Sequence, residues 1–199
     1  METPLNNALF DALYAQGYAV VPHFLPEFLR DALYTEACTL YHNQAMYQAS
    51  IGQGPNNQVA IDIRGDFIHW LDGSTPAQKT FFKLMHAYQQ HLNRIFYLGI
   101  NNYEAHFALY PKGRYYKRHW DNFHGRGNRI VTTVFYLNPQ WHAEWGGQLR
   151  LYAQDEQTVL EEITPQPGLL ATFISSEIPH EVLPTRRPRI SIAGWLRRN

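Results

Sequence analysis

His119 and Asp121 stand one residue apart in RHWDNFHGRG, residues 118–127. An imidazole and a carboxylate so spaced can supply two of the three ligands of a facial two-histidine, one-carboxylate metal site. Such a site holds a divalent iron and leaves three neighbouring positions open. In a strand, residues i and i+2 share a face, so His119 and Asp121 are expected to aim at one point while Trp120 faces away. His180, in PHEVLP, is the candidate third ligand, 59 residues beyond Asp121 and at the start of another strand. The chain has ten histidines, so an H-x-D pair alone reads equally as structural.

Arg189 adds an independent feature. It follows His180 by nine residues and opens RISIAGWL, an otherwise apolar strand with Trp195 ahead. Non-haem Fe(II) oxygenases that use 2-oxoglutarate must hold its far carboxylate, and an arginine contact that is bidentate and charge-assisted suits that task. The alternative is one more solvated member of the RRPR cluster.

These residues need elements to carry them. The first half reads as helical. Thr3 and Pro4 can begin a helix through Leu5, Leu9 and Leu13 that Gly17 stops. A short apolar run, YAVV, follows. A second helix begins near Pro26, with Phe28, Leu29, Ala32, Leu33 and Leu40 on one side, and a third runs from Ser74-Thr75-Pro76 to Gly99. Residues 45–60 lack a helical stripe and read as a long loop, of the sort that forms lids and binding segments. After Gly99 the pattern changes to short β-branched or aromatic runs: EAHFALY, RIVTTVFYL, QLRLY, TVLEEI, LLATFIS, HEVLP and RISIAGWL. This spacing predicts an α+β domain with a jelly roll over residues 100–199 and supporting helices over 1–99, all one domain.

Composition narrows the function classes. The 199 residues carry seventeen basic and seventeen acidic side chains, so no basic stripe suggests nucleic acid as a partner. The single cysteine excludes an internal disulfide or a multi-cysteine zinc module and fits a reducing compartment. With no long apolar run and no basic leader, the expectation is a cytoplasmic protein that does not enter a membrane. Oligomeric state is left open.

Several longer segments extend the pattern: DIRGDFIHWLDG, ALYPKGRYYKRHWDN, RIVTTVFYLN, WGGQLRLY and HEVLPTRRPRISIAGW, in that order. Through them the chain resembles the 2-oxoglutarate- and Fe(II)-dependent prolyl hydroxylases of the Egl-nine, oxygen-sensing type and their bacterial relatives. The resemblance runs from about residue 60 to the end. It implies a double-stranded β-helix (a cupin-like jelly roll), with His119, Asp121 and His180 on iron. Arg189 would pair with the C5 carboxylate of 2-oxoglutarate, helped by the Tyr136 hydroxyl, with Tyr110 and Thr132 beside the co-substrate. Each aromatic also reads as ordinary barrel filling. Arg64, Asp66, Arg129 and Trp195 would shape the substrate face, although salt bridges explain the three charged residues equally well. The implied cofactors are Fe(II), 2-oxoglutarate and O2, with ascorbate as a supporting reductant. The implied reaction hydroxylates a prolyl residue in a protein, a translation elongation factor among bacterial relatives, and yields succinate and CO2. The alternatives are a hydroxylase of a free amino acid or other small molecule, and a metal-binding sensor with little turnover. The 45–60 loop has its own composition, which makes the substrate the least transferable part of the resemblance.

Overall fold

The computed structural model describes residues 5–50, 58–122 and 127–199. Three helices back a sandwich of two antiparallel sheets. α1 (Asn7–Gln16) is capped by Asn6, whose Oδ1 accepts from the Leu9 amide at 3.2 Å, and it ends where Gly17 takes φ 78°. The expected start at Thr3 and Pro4 falls outside the described residues. β1 (Tyr18–Val21) follows, then α2 (Glu27–His42). Leu29, Leu33 and Ala37, four residues apart, set the buried face of α2. Phe28 lies about 100° around the helix from Leu29 and is 71% exposed, contrary to its expected place on that face.

Within residues 45–60, Tyr47–Gln48 form a short β2 that pairs with β3 (Phe67–Trp70), and residues 51–57 lie outside the described ones. α3 (Pro76–Phe96) is capped by Thr75 and buries Phe81, Met85, Tyr88 and Leu92. It stops at Tyr97, in a left-handed conformation with φ 55°, two residues before Gly99.

The remaining strands are β4 (Asn102–Tyr110), β5 (Tyr116–His119), β6 (Arg129–Tyr136), β7 (Leu149–Tyr152), β8 (Val159–Ile163), β9 (Leu170–Ile174), β10 (His180–Val182) and β11 (Arg189–Arg197). The larger sheet has the order β1-β9-β6-β11-β4-β3-β2, and the smaller β5-β10-β7-β8. This is the jelly roll expected, with three strands of its larger sheet drawn from the first hundred residues. One core lies between that sheet and the helices, where the Tyr88 hydroxyl meets Thr172 Oγ1 at 3.1 Å. The other fills the space between the sheets, and the site opens there. Among the described residues, no helix is long and apolar enough to cross a membrane.

The paired glycines of WGGQLRLY bring two backbones together beside Arg189. Gly146 has φ 70°, and a Cβ there would sit 2.3 Å from the Pro184 carbonyl oxygen. Gly146→Ala should therefore cost roughly 2–3 kcal/mol through overpacking and backbone strain. A fall in Tm of roughly 5–10 °C, read by calorimetry, is the expected result.

Candidate active site

His119 ends β5 and His180 opens β10, and the two residues are direct cross-strand partners. Their rings lie 4.3 Å apart. Asp121 sits in a bend just beyond β5, not on the strand as the i, i+2 argument assumed. It converges nevertheless: its oxygens lie 3.7 Å from His119 Nε2 and 3.6 Å from His180 Nε2. One ligand atom from each of the three residues falls within 4.8 Å of the others, which is a group that could hold a metal ion.

The surroundings orient these atoms. His119 Nδ1 faces the Lys117 carbonyl at 2.8 Å and His180 Nδ1 faces the Ile178 carbonyl at 3.2 Å. A carbonyl only accepts, so each Nδ1 carries the proton and each Nε2 lone pair points to the shared centre. Asp121 Oδ2 accepts from Thr132 Oγ1 at 2.8 Å, and Thr132 in turn meets Ser175 Oγ at 2.9 Å. Burial drives the His119 pKa down to about 3, with His180 adding to the shift, although His119 keeps 20% of its side-chain exposure. Burial alone would raise the Asp121 carboxyl, but His180, His119 and Arg129 more than offset it and hold it well below the usual range. At neutral pH this leaves a carboxylate and a neutral imidazole, the states a metal requires.

A cavity of about 480 Å³ runs from this centre to Arg189. Arg189 is 1% exposed, and among the described residues no carboxylate lies within ion-pair distance of it. Its Nη1 donates to Ser191 Oγ at 3.1 Å, while Nε and Nη2 make no hydrogen bond to the described residues. The guanidinium carbon lies 5.2 Å from the Tyr110 ring centroid and 4.9 Å from that of Tyr136, whose buried hydroxyl is also unpartnered. Burial raises the Tyr136 phenol, the guanidinium working the other way, so the hydroxyl remains a donor. A Cβ on Gly147 would approach Arg189 Cδ to 3.1 Å, so the side chain depends on a glycine there for room. A buried cation with free donors in the wall of a cavity fits a carboxylate ligand.

Of the residues expected to meet co-substrate, Tyr110 and Arg189 share the cavity wall, and the Tyr136 ring lies beside the guanidinium. Thr132 shares that wall and also donates to Asp121 Oδ2. Arg64, Asp66, Arg129 and Trp195 all face the cavity, yet the charged three are also paired. Asp66 accepts from Arg64 Nε and Nη2 at 2.8 and 3.0 Å. Arg129 binds Glu104 at 3.0 Å and lies 3.5 Å over the Trp195 ring.

Several wall residues escaped the sequence reading, Tyr116 and His106 among them. Tyr116 stacks on His119, with centroids 3.7 Å apart at 14°, and Arg64 covers the Tyr116 ring at 4.9 Å. No spacing rule marks Tyr116. His106 could have been found, because it precedes Tyr110 by four on an alternating strand. It is 1% exposed and donates from Nδ1 to the Phe107 carbonyl. Burial, with Arg64 adding to it, lowers its pKa to about 4. Between 4 and the unfolded value near 6.5, the unfolded chain binds a proton that the folded one refuses. The contribution is whole above pH 6.5 and fades as pH falls toward 4. Urea unfolding at pH 7 and pH 5 should show about 2 kcal/mol of loss from this group, a loss that His106→Gln removes.

Comparison with known proteins agrees with this geometry. The 2OG-Fe(II) oxygenase superfamily matches over residues 105–197. Rat Egl nine homolog 1 is 37% identical over 143 residues, which cover 67% of this chain and 41% of that protein. The hypoxia-inducible factor prolyl hydroxylase of Caenorhabditis elegans is 33% identical over 144 residues, covering 67% of this chain and 20% of its own length. The chain thus spans less than half the length of these relatives. A Pseudomonas putida prolyl-4-hydroxylase superposes with a TM-score of 0.87 at 38% identity, covering 96% of this chain and 98% of that one. A Trichoplax adhaerens prolyl hydroxylase, solved with a hypoxia-inducible factor peptide, gives 0.85 at 31% identity over 96% and 88% of the two chains. By sequence and by fold, the chain belongs to the 2OG-Fe(II) oxygenase superfamily and, within it, to the prolyl hydroxylases that include the Egl-nine proteins and bacterial relatives.

Proposed function

We propose that this chain hydroxylates a prolyl residue in a protein substrate, with His119, Asp121 and His180 holding Fe(II) and Arg189 holding 2-oxoglutarate. The family's cofactors are Fe(II), 2-oxoglutarate and O2. The observation that carries the residue assignment is the buried, unpaired Arg189 guanidinium facing the same cavity as the three ligand atoms.

When bound, iron and co-substrate supply O2 activation, coupling decarboxylation of 2-oxoglutarate to succinate and CO2 with insertion of one oxygen atom into a C–H bond. The protein supplies orientation and exclusion of water. The two Nδ1–H groups fix both imidazoles in the tautomer that presents Nε2. Thr132 holds one Asp121 oxygen at 2.8 Å, which limits rotation of the carboxylate. Arg189 Nε and Nη2, with the Tyr136 hydroxyl, take the C5 carboxylate, setting the 2-oxo end toward the metal ligands. Trp195, Tyr116 and Trp70 line the same cavity and give its wall apolar surface for a prolyl ring. The Arg64–Asp66 pair holds that wall in place.

Incubating the protein with Fe(II), 2-oxoglutarate and cell extract, then mapping peptides by mass spectrometry, tests this reading. One added oxygen on a proline of a discrete protein, such as an elongation factor, supports it. Hydroxylation of free proline alone would favour a small-molecule hydroxylase, and no product under any condition a binding protein.

A further inference from the structure

We infer that Glu156, in the turn between β7 and β8, is a positioning residue for the segment that carries His119 and Asp121. The inference rests on the reading of His119, Asp121 and His180 as metal ligands. β5 is four residues long and pairs with β10 across a register shift. On its other side Tyr116 bridges Arg64 and the Lys117 amide donates to the Ile63 carbonyl at 2.9 Å, contacts that stop at Lys117. By Trp120 the chain has left the strand.

Glu156 grips the segment from outside, on both sides of His119. Its Oε1 accepts from Trp120 Nε1 at 3.1 Å, and its Oε2 lies 3.3 Å from Arg118 Nε. The Glu156 carbonyl also accepts from Arg118 Nη1. Arg118 is on the strand and exposed, while Trp120 lies past its end and lines the cavity, so one side chain restrains both residues that flank the imidazole. Arg118 is tied to the same hairpin again through the Tyr152 ring, 5.0 Å away. The turn is itself pinned: Asp155 Oδ1 accepts from the Gln157 and Thr158 amides, each at 2.8 Å. Glu156 sits there at φ 58°, a conformation uncommon outside glycine. Half-exposed ion pairs of this kind contribute little to global stability, so the effect belongs in ligand placement. Removing a partner that orients metal ligands typically weakens metal binding by 10–100-fold. Glu156 acts one residue away from the ligand, so about 10-fold, the lower end of that range, is expected.

Metal-free protein titrated with Co(II) alone, followed by its visible ligand-field absorption, tests the inference. Glu156→Ala should weaken Co(II) binding by about 10-fold and alter the band shape. Glu156→Gln, which keeps an acceptor for Trp120, should recover part of the affinity. Glu162→Ala, which breaks only the Arg150 pair on the outer face of the same hairpin, should bind as the parent does. Parental affinity and spectrum in Glu156→Ala would overturn the inference. So would equal weakening in Glu162→Ala, since that would reflect a loosened hairpin. Should the parent bind no Co(II), or His180→Ala leave binding intact, the ligand assignment itself fails and this inference with it.

Discussion

Asp121→Ala is expected to abolish turnover while leaving the fold intact. The carboxylate is the one anionic group among the three ligand residues, with Oδ1 3.7 Å from His119 Nε2 and Oδ2 3.6 Å from His180 Nε2. Loss of a group that merely orients a ligand already costs 10–100-fold in metal affinity or activity, so loss of the ligand itself should cost more than about 100-fold. The fold should survive because Asp121 lies in a bend outside the sheets, and the Thr132 hydroxyl it releases still has Ser175. Succinate release and circular dichroism measured together check both halves. Succinate at the parental rate would remove Asp121 from the metal site.

Arg189→Ala carries the second large effect. A carboxylate drawn into the cavity and left without its cation loses about 3–5 kcal/mol. That raises the 2-oxoglutarate concentration for half-maximal turnover by roughly 100- to 4000-fold. Arg189→Lys should recover only part, because an ammonium cannot reproduce the two-pronged contact. Stability gives an independent readout. The parent should gain Tm on adding 2-oxoglutarate with a redox-inert divalent metal, as any ligand selective for the folded state requires, and the alanine variant should gain much less. The buried charge has no carboxylate partner among the described residues, so the metal-free variant should melt no lower than the metal-free parent. An unchanged co-substrate requirement would place Arg189 elsewhere in the chemistry.

Much of this site is legible in the sequence because strands write their faces in alternation. RIVTTVFYL and RISIAGWL both read as strands, and they pair, with Ser191 opposite Tyr136 and Trp195 opposite Thr132. The metal residues are legible for a different reason: H-x-D and a distant histidine are chemically unusual together with a buried arginine. Where the reading slipped, the cause is local. β5 spells YKRH, whose lysine and arginine hide a strand at the edge of a sheet. β2 is too short to show any period. Asp121 reaches the metal position from a bend, which alternation cannot describe. Thr132 lines the cavity with Tyr110, and its bond to Asp121, which alternation cannot show, comes from the turn of that carboxylate toward it. Glu156, in the acidic turn DEQ, reads as one more solvated residue until β5 is seen beside it.

The most direct test of the central claim is a crystal structure of the protein grown without O2 in the presence of Mn(II) and 2-oxoglutarate. The account expects one metal bound by His119 Nε2, His180 Nε2 and an Asp121 oxygen, with the far carboxylate of the co-substrate on Arg189 Nε and Nη2. A metal bound away from these three side chains, or a co-substrate that leaves the Arg189 guanidinium untouched, would contradict it.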